Sequence, residues 1–181
     1  MRRDAAALAC VCKAAAAAPP TSKWHSAVRV EHGGAGLEPA SGAFNVTVAP
    51  GEDVQAAVDA CPPGGCVLLL PGTHAGPLVL TADKEVHVFG RGRATLRASS
   101  GNVVTSEAAA ATLDGLIIIH EAGGSVDGVW IQRGKLRVQA CDVTSLSGDC
   151  VFIGGGDPVL TSCKYARGRA RSRFLFFHES Q

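Results

Sequence analysis

The chain has 181 residues, enough for one domain with a short appendage. Its 46% hydrophobic and 18% charged content supplies a buried core and excludes a globally disordered chain. A formal net charge of +1 argues against a protein built around nucleic acid, and no run of about 18 apolar residues offers a membrane-spanning helix.

Aromatic residues make up only 5% of the chain and Gly numbers 22, which points to a core of small aliphatic side chains joined by tight turns. The seven Cys are an odd number without C-x-x-C pairs, so no zinc site is expected. They read as free, mostly buried thiols in a reducing compartment, cytoplasmic or nuclear, with secretion as the alternative. Three parts follow from composition: an Ala-, Pro- and Gly-rich leader over 1–45, an aliphatic body over 46–163, and a basic tail over 164–181.

The body begins with a predicted strand at Asn45–Val48. Pro50-Gly-Glu-Asp53 then starts a short helix with Val54, Ala57, Val58 and Cys61 on one face. Pro62-Pro-Gly-Gly65 stops it, Cys66–Leu70 reads as a buried strand, and Pro71-Gly72 turns the corner.

Beyond this entry the sequence repeats. Asp127-Gly-Val-Trp-Ile-Gln132 aligns with Asp149-Cys-Val-Phe-Ile-Gly154 at an offset of 22, which also places Val138 on Leu160 and Cys141 on Cys163. An offset of 25 brings Leu113, Leu116 and Ile118 onto Val138, Cys141 and Val143, and another 25 reaches back to Val88. This period is shorter than the roughly 30 residues of a strand–helix–strand unit. No amphipathic helix lies between the strands, and the frame of a leucine-rich repeat is absent. The reading is an all-β, right-handed parallel β-helix of about four to five coils, with inward ladders of like residues about 4.8 Å apart and the short helix as N-terminal cap.

Val54–Thr73, VQAAVDACPPGGCVLLLPGT, resembles the entry of the pectin-lyase-like superfamily: capping helix, Pro/Gly break, aliphatic strand, Pro-Gly. The resemblance covers roughly 46–163 and implies the β-helix fold, which hosts lyases, hydrolases, esterases and pure binding modules. The acidic cluster that pectate lyases use for Ca²⁺ is not visible. Against the polygalacturonase-type pattern, Asp127 matches the first acid and Asp149 one acid of the following pair. Cys150 stands where the second would be, and neither Gly-His-Gly nor Arg-x-Lys follows. Inverting hydrolysis places acid and base about 6.5–9.5 Å apart, whereas equivalent positions on adjacent coils lie about 4.8 Å apart. Asp127 and Asp149 are therefore weak catalytic candidates, read first as corner residues that cap backbone N–H groups. No cofactor is implied. His74 reads as a turn residue, His87 as a strand residue and His120 as a strand end, none in a nucleophile motif.

The outward face carries a binding expectation instead. Alternation along Val129–Ile131 and Val151–Ile153 turns Trp130 and Phe152 outward on adjacent coils. With Gln132 and Arg137 they form the candidate partner-binding set. In the leader, Arg3–Lys13 resembles the second half of an F-box, with Leu8, Val11 and Cys12 at its buried positions and Trp24 near a following Trp. Ala stands where that motif has Trp after Cys-Lys. The resemblance implies docking to the adaptor of a cullin-RING ubiquitin ligase while the β-helix holds a protein substrate. A signal or transit peptide is the rival reading of the segment. The expected role is non-catalytic protein binding; the alternative is an enzyme or binder acting on polysaccharide.

Overall fold

The computed structural model describes residues 29–31, 44–121, 123–124 and 126–167. A short strand, β1 (Arg29–Glu31), precedes β2 (Val46–Val48) and the helix α1 (Val54–Ala60). Asp53 caps α1, its carboxylate accepting from the Ala56 N–H at 3.0 Å, as an N-cap side chain does. Val54 and Val58 are buried and Cys61 ends the helix, so the apolar face expected from the i, i+4, i+7 spacing lies on the core.

What α1 does for the strands beside it is specific. The Gln55 side-chain amide pairs with the backbone of Val79: the Val79 N–H donates to Oε1 at 2.7 Å and Nε2 donates to the Val79 carbonyl at 3.0 Å. A single side chain thus supplies the donor and acceptor that a further strand would have supplied, and protects an otherwise open sheet edge. On the neighbouring face, Asn45 Oδ1 accepts the Cys66 N–H at 2.7 Å.

Among the described residues, five coils of parallel strands follow. The first holds β3 (Gly65–Leu69), β4 (Gly72–Ala75) and β5 (Leu78–Leu80). The second holds β6 (Glu85–Ala98), which bends through a corner, and β7 (Val104–Ser106). The third holds β8 (Ala110–His120), bent likewise, and β9 (Val129–Ile131). The fourth holds β10 (Leu136–Gln139), β11 (Asp142–Ser145) and β12 (Val151–Ile153). The last holds β13 (Val159–Thr161) and β14 (Lys164–Arg167). Stacking these coils makes three parallel faces. The first runs β2, β3, β6, β8, β10, β13 and β1; the second carries β4, β11 and β14 with the distal halves of β6 and β8; the third runs β5, β7, β9 and β12. The chain is a parallel β-solenoid.

The register reproduces the repeat. Val67, Val88, Leu113, Val138 and Leu160 are successive partners on the first face. Leu96, Ile118 and Val143 are partners on the second, and Leu78, Val104, Val129 and Val151 on the third. All point inward and are buried. Alternation sends one residue in two to the core, so a one-residue slip of any rung would expel its whole aliphatic set.

Three features depart from the sequence reading. The segment read as a basic tail opens with a strand that continues the 22-residue frame: Asp142 to Ser145 pair in order with Lys164 to Arg167. Tyr165 packs against the core while Lys164 and Ala166 face out, which keeps the alternation. The leader also contributes a strand, since β1 adds to β13 in parallel, Val30 opposite Leu160. Finally, His74 is not in a turn. It lies on β4 and is fully buried, with its Nε2 2.9 Å from the Leu70 carbonyl. His120 and Ser145, partners on adjacent coils, are also fully buried, and His120's ring nitrogens and the Ser145 hydroxyl make no hydrogen bond.

Leu113 sits mid-ladder with no exposed surface. Leu113→Ala is expected to lower unfolding free energy by about 3 kcal/mol through lost transfer energy and a cavity. Thr47→Ala, on an exposed outward position of β2, is expected to change it by less than about 0.5 kcal/mol. Urea titration of the two variants checks both values.

Candidate functional site

Asp127 and Asp149 come together as the offset implied. They occupy the same corner of adjacent coils, ahead of the paired strands β9 and β12. The Asp127 carboxylate accepts the Asp149 backbone N–H at 2.8 Å. One coil earlier, Asn102 Oδ1 accepts the Asp127 N–H at 2.7 Å. Asn102, Asp127 and Asp149 therefore form a corner ladder in which a side-chain oxygen on one coil receives the backbone N–H of the next. Asn102 was not singled out from the sequence, although stepping back 25 residues from Asp127 reaches it.

Burial pushes the Asp127 carboxyl above the ordinary carboxylate range, and the negative charge of Asp149 adds to this. The hydrogen bond from the Asp149 N–H and the nearby His120 act in the opposite direction without cancelling it. Beside it, Gly148 has no room for a side chain, because a Cβ there would land on the Val126 carbonyl oxygen. The backbone fills the space next to the carboxylates.

The aromatic pair stands on the third face. Thr105, Trp130 and Phe152 are outward partners on β7, β9 and β12, and Trp130 and Phe152 are half-buried. Both rings reach toward Gly154: a Cβ there would lie 3.7 Å from Phe152 Cε1 and 3.7 Å from Trp130 Nε1. Gln132 directly follows β9, its backbone N–H donating to the Ser106 carbonyl at 2.9 Å. Next to it, the Arg133 guanidinium pairs with Glu107 one coil earlier. Arg137 is separated from this group. It lies on β10 of the first face, between Thr112 and Val159, around the corner from Trp130. The set expected from sequence is thus split into Trp130, Gln132 and Phe152 on one wall and Arg137 on another. Leu8, Val11, Cys12 and Trp24 lie outside the described residues.

Among the described residues, no group of three or more His, Cys, Asp or Glu side chains is arranged to hold a metal ion. No helix there is long and apolar enough to cross a membrane. Comparison of the chain with family models, with curated proteins and with solved structures returns no match.

The raised Asp127 carboxyl sets a testable sign. A carboxyl that holds its proton more tightly in the folded state favours folding at low pH, and that contribution is lost as pH rises through its folded-state value. Asp127→Asn keeps an Oδ1 acceptor for the Asp149 N–H and removes the buried charge. It is expected to be more stable than the parent at pH 7, the difference vanishing below about pH 3.5, where an ordinary carboxyl is protonated too. Asp127→Ala, which leaves that N–H without its partner, is expected to lose about 1–2 kcal/mol at pH 3 and less at pH 7, where removal of the same buried charge offsets part of the loss. Denaturant titrations at pH 3 and pH 7 distinguish these outcomes from a pH-independent effect.

Proposed function

We propose that this chain is a non-catalytic protein-binding β-solenoid of the pectin-lyase-like kind. It would display Trp130, Phe152 and Gln132 to a protein substrate while an F-box-like leader segment recruits a ubiquitin ligase adaptor. The observation that carries the reading is the register pairing of Trp130 with Phe152 on a stiff parallel sheet. Two large apolar side chains on adjacent coils make a fixed anchor of the type that dominates protein interfaces. The strand of Trp130 is held between β7 and β12, while Phe152 stands on β12 at the edge of this face, and an anchor already fixed by strand pairing loses little conformational freedom on binding. The Arg133–Glu107 pair beside it supplies a polar rim.

The same geometry weighs against inverting carbohydrate hydrolysis. The Asp127 carboxylate is engaged by the Asp149 N–H, and the two acids stand at equivalent positions of adjacent coils. Such positions place their Cα atoms about 4.8 Å apart, a spacing that does not favour the carboxyl separation of about 6.5–9.5 Å that inverting hydrolysis uses to admit a water.

The test is capture of the adaptor subunit and of cellular substrates by the full chain, scored by mass spectrometry. Leu8→Asp is expected to abolish adaptor capture. Trp130→Ala with Phe152→Ala is expected to keep the adaptor and weaken substrate binding at least about 30-fold, the scale of losing an interface anchor. The reading fails if the adaptor is not captured, or if the chain cleaves polygalacturonate and Asp127→Asn abolishes that cleavage.

A further inference from the structure

The end of the solenoid carries a second chemical feature that the binding role does not use. Cys141 and Cys163 occupy the same corner on the last two coils, each immediately before a strand of the paired β11 and β14. Both side chains turn inward, where the ladder one coil earlier holds Leu116. Cys141 is buried, with its Sγ 3.2 Å from the Gln139 carbonyl and 3.6 Å from that of Leu113. Cys163 is half-exposed, with its Sγ 3.3 Å from the carbonyls of Val138 and Thr161. Among the described residues no further coil lies over it, because β1 covers only Val159–Thr161 of that coil.

Three properties make this pair different from a ladder of inert thiols. In-register parallel neighbours place their Cα atoms about 4.8 Å apart, inside the roughly 4.4–6.8 Å range that a disulfide spans. Hydrogen bonding between the two thiols shifts the ionisation of each, and the Tyr165 side chain acts likewise on Cys163. Of the two thiols, Cys141 holds its proton the more tightly. Its hydrogen bond to Cys163 and its burial both hold that thiol well above the usual range. The same bond lowers Cys163 to about 7, against the opposing effect of its own partial burial. A partly exposed thiolate beside a buried second thiol is the arrangement of an oxidant-sensitive cysteine with its resolving partner.

We propose that Cys163 and Cys141 form a reversible, peroxide-sensitive disulfide that staples the last coil of the solenoid to the one before it. The chemistry balances with a hydroperoxide as oxidant. The Cys163 thiolate attacks one peroxide oxygen, the O–O bond breaks, and the departing hydroxide leaves as water after taking a proton. Cys163 is then a sulfenic acid. The Cys141 sulfur attacks the Cys163 sulfur and expels hydroxide, which takes the Cys141 proton and leaves as a second water. Two thiols have lost two electrons to one peroxide, and a thiol reductant reverses the bond by exchange. The covalent closure spans 22 residues and ties β14 to β11.

The sequence offers a clean readout. Cleavage before Asp residues puts Cys141 in the fragment 127–141, Cys150 in 149–156 and Cys163 in 157–181. The full chain treated with one equivalent of hydrogen peroxide is expected to yield 127–141 disulfide-linked to 157–181, with Cys150 still alkylatable. Cys163→Ser is expected to abolish the link and to slow thiol loss at least about tenfold, as expected when the only thiolate of a pair is removed. Cys141→Ser is expected to leave a Cys163 sulfenic acid that dimedone traps. Alkylation of Cys163 in the untreated chain is expected to rise with pH through a midpoint near 7. In the oxidised chain, amide exchange of residues 159–167 is expected to slow relative to the reduced chain. The proposal is overturned if peroxide consumes thiols without producing the linked fragments, or if Cys163 alkylates with the midpoint of an ordinary thiol, near about 8.5.

Discussion

Everything in this molecule depends on coils that stack in register. Each strand hydrogen-bonds to the equivalent strand of the next coil, and each inward side chain rests on its counterpart, so Val67, Val88, Leu113, Val138 and Leu160 form one continuous column. Parallel strands leave little tolerance, because a slip by one residue exchanges the buried and exposed faces. The corners enforce the same register through side chains. Asn45, Asn102 and Asp127 each accept a backbone N–H from the following coil. A stack of this kind grows by repetition and is vulnerable only at its ends. The first end is closed by α1 and by the Gln55 amide on Val79, while β1 adds to the last coil.

This construction explains why the fold was legible. The offsets of 22 and 25 are visible because equivalent inward positions demand similar residues, and the parallel register converts a sequence offset directly into a contact. The helix at Val54–Ala60 was legible for the same local reasons that it forms: an Asp N-cap, an i, i+4 apolar pair and a Pro-Pro-Gly-Gly stop. Less legible are the places where the ladder admits a polar residue. His74 aligns with Leu96 at 22 residues and so belongs inside, but a histidine next to Pro-Gly reads locally as a turn. The strand frame of Lys164–Arg167 was hidden by its charges, although Tyr165 keeps the inward position. The corner at Gly90–Arg93 was also unmarked. There the register shifts between Phe89 and Ala94, and Arg91, at a φ of 49°, lays its guanidinium 5.4 Å from the centre of the Phe44 ring.

The candidate site was legible in the same uneven way. Alternation is enough to bring Trp130 beside Phe152, and the offset is enough to bring Asp127 beside Asp149. Neither rule says which atoms meet. That the Asp127 oxygen is engaged by a backbone N–H depends on the path of the chain at a corner, where no periodic rule holds. Arg137 shows the opposite error. It stands only five residues after Gln132 in sequence, yet a corner intervenes and turns it onto another wall. In a solenoid, nearness along the chain is a weaker guide to shared surface than the repeat offset. The binding wall, the corner ladder and the thiol pair each consist of residues on successive coils.

The most direct test of this account is a ruler laid along the stack. Spin labels placed outward on the first face at position 66 and at position 159 are separated by four coil steps, through His87, Thr112 and Arg137. With the other cysteines replaced by Ser, pulsed electron–electron distance measurement should give about 19 Å between them, and moving the first label to position 87 should shorten this by about 4.8 Å. A narrow distribution with that increment is the expected result. A separation beyond about 30 Å, or one that fails to shorten by a coil step, would contradict in-register stacking and every reading built on it.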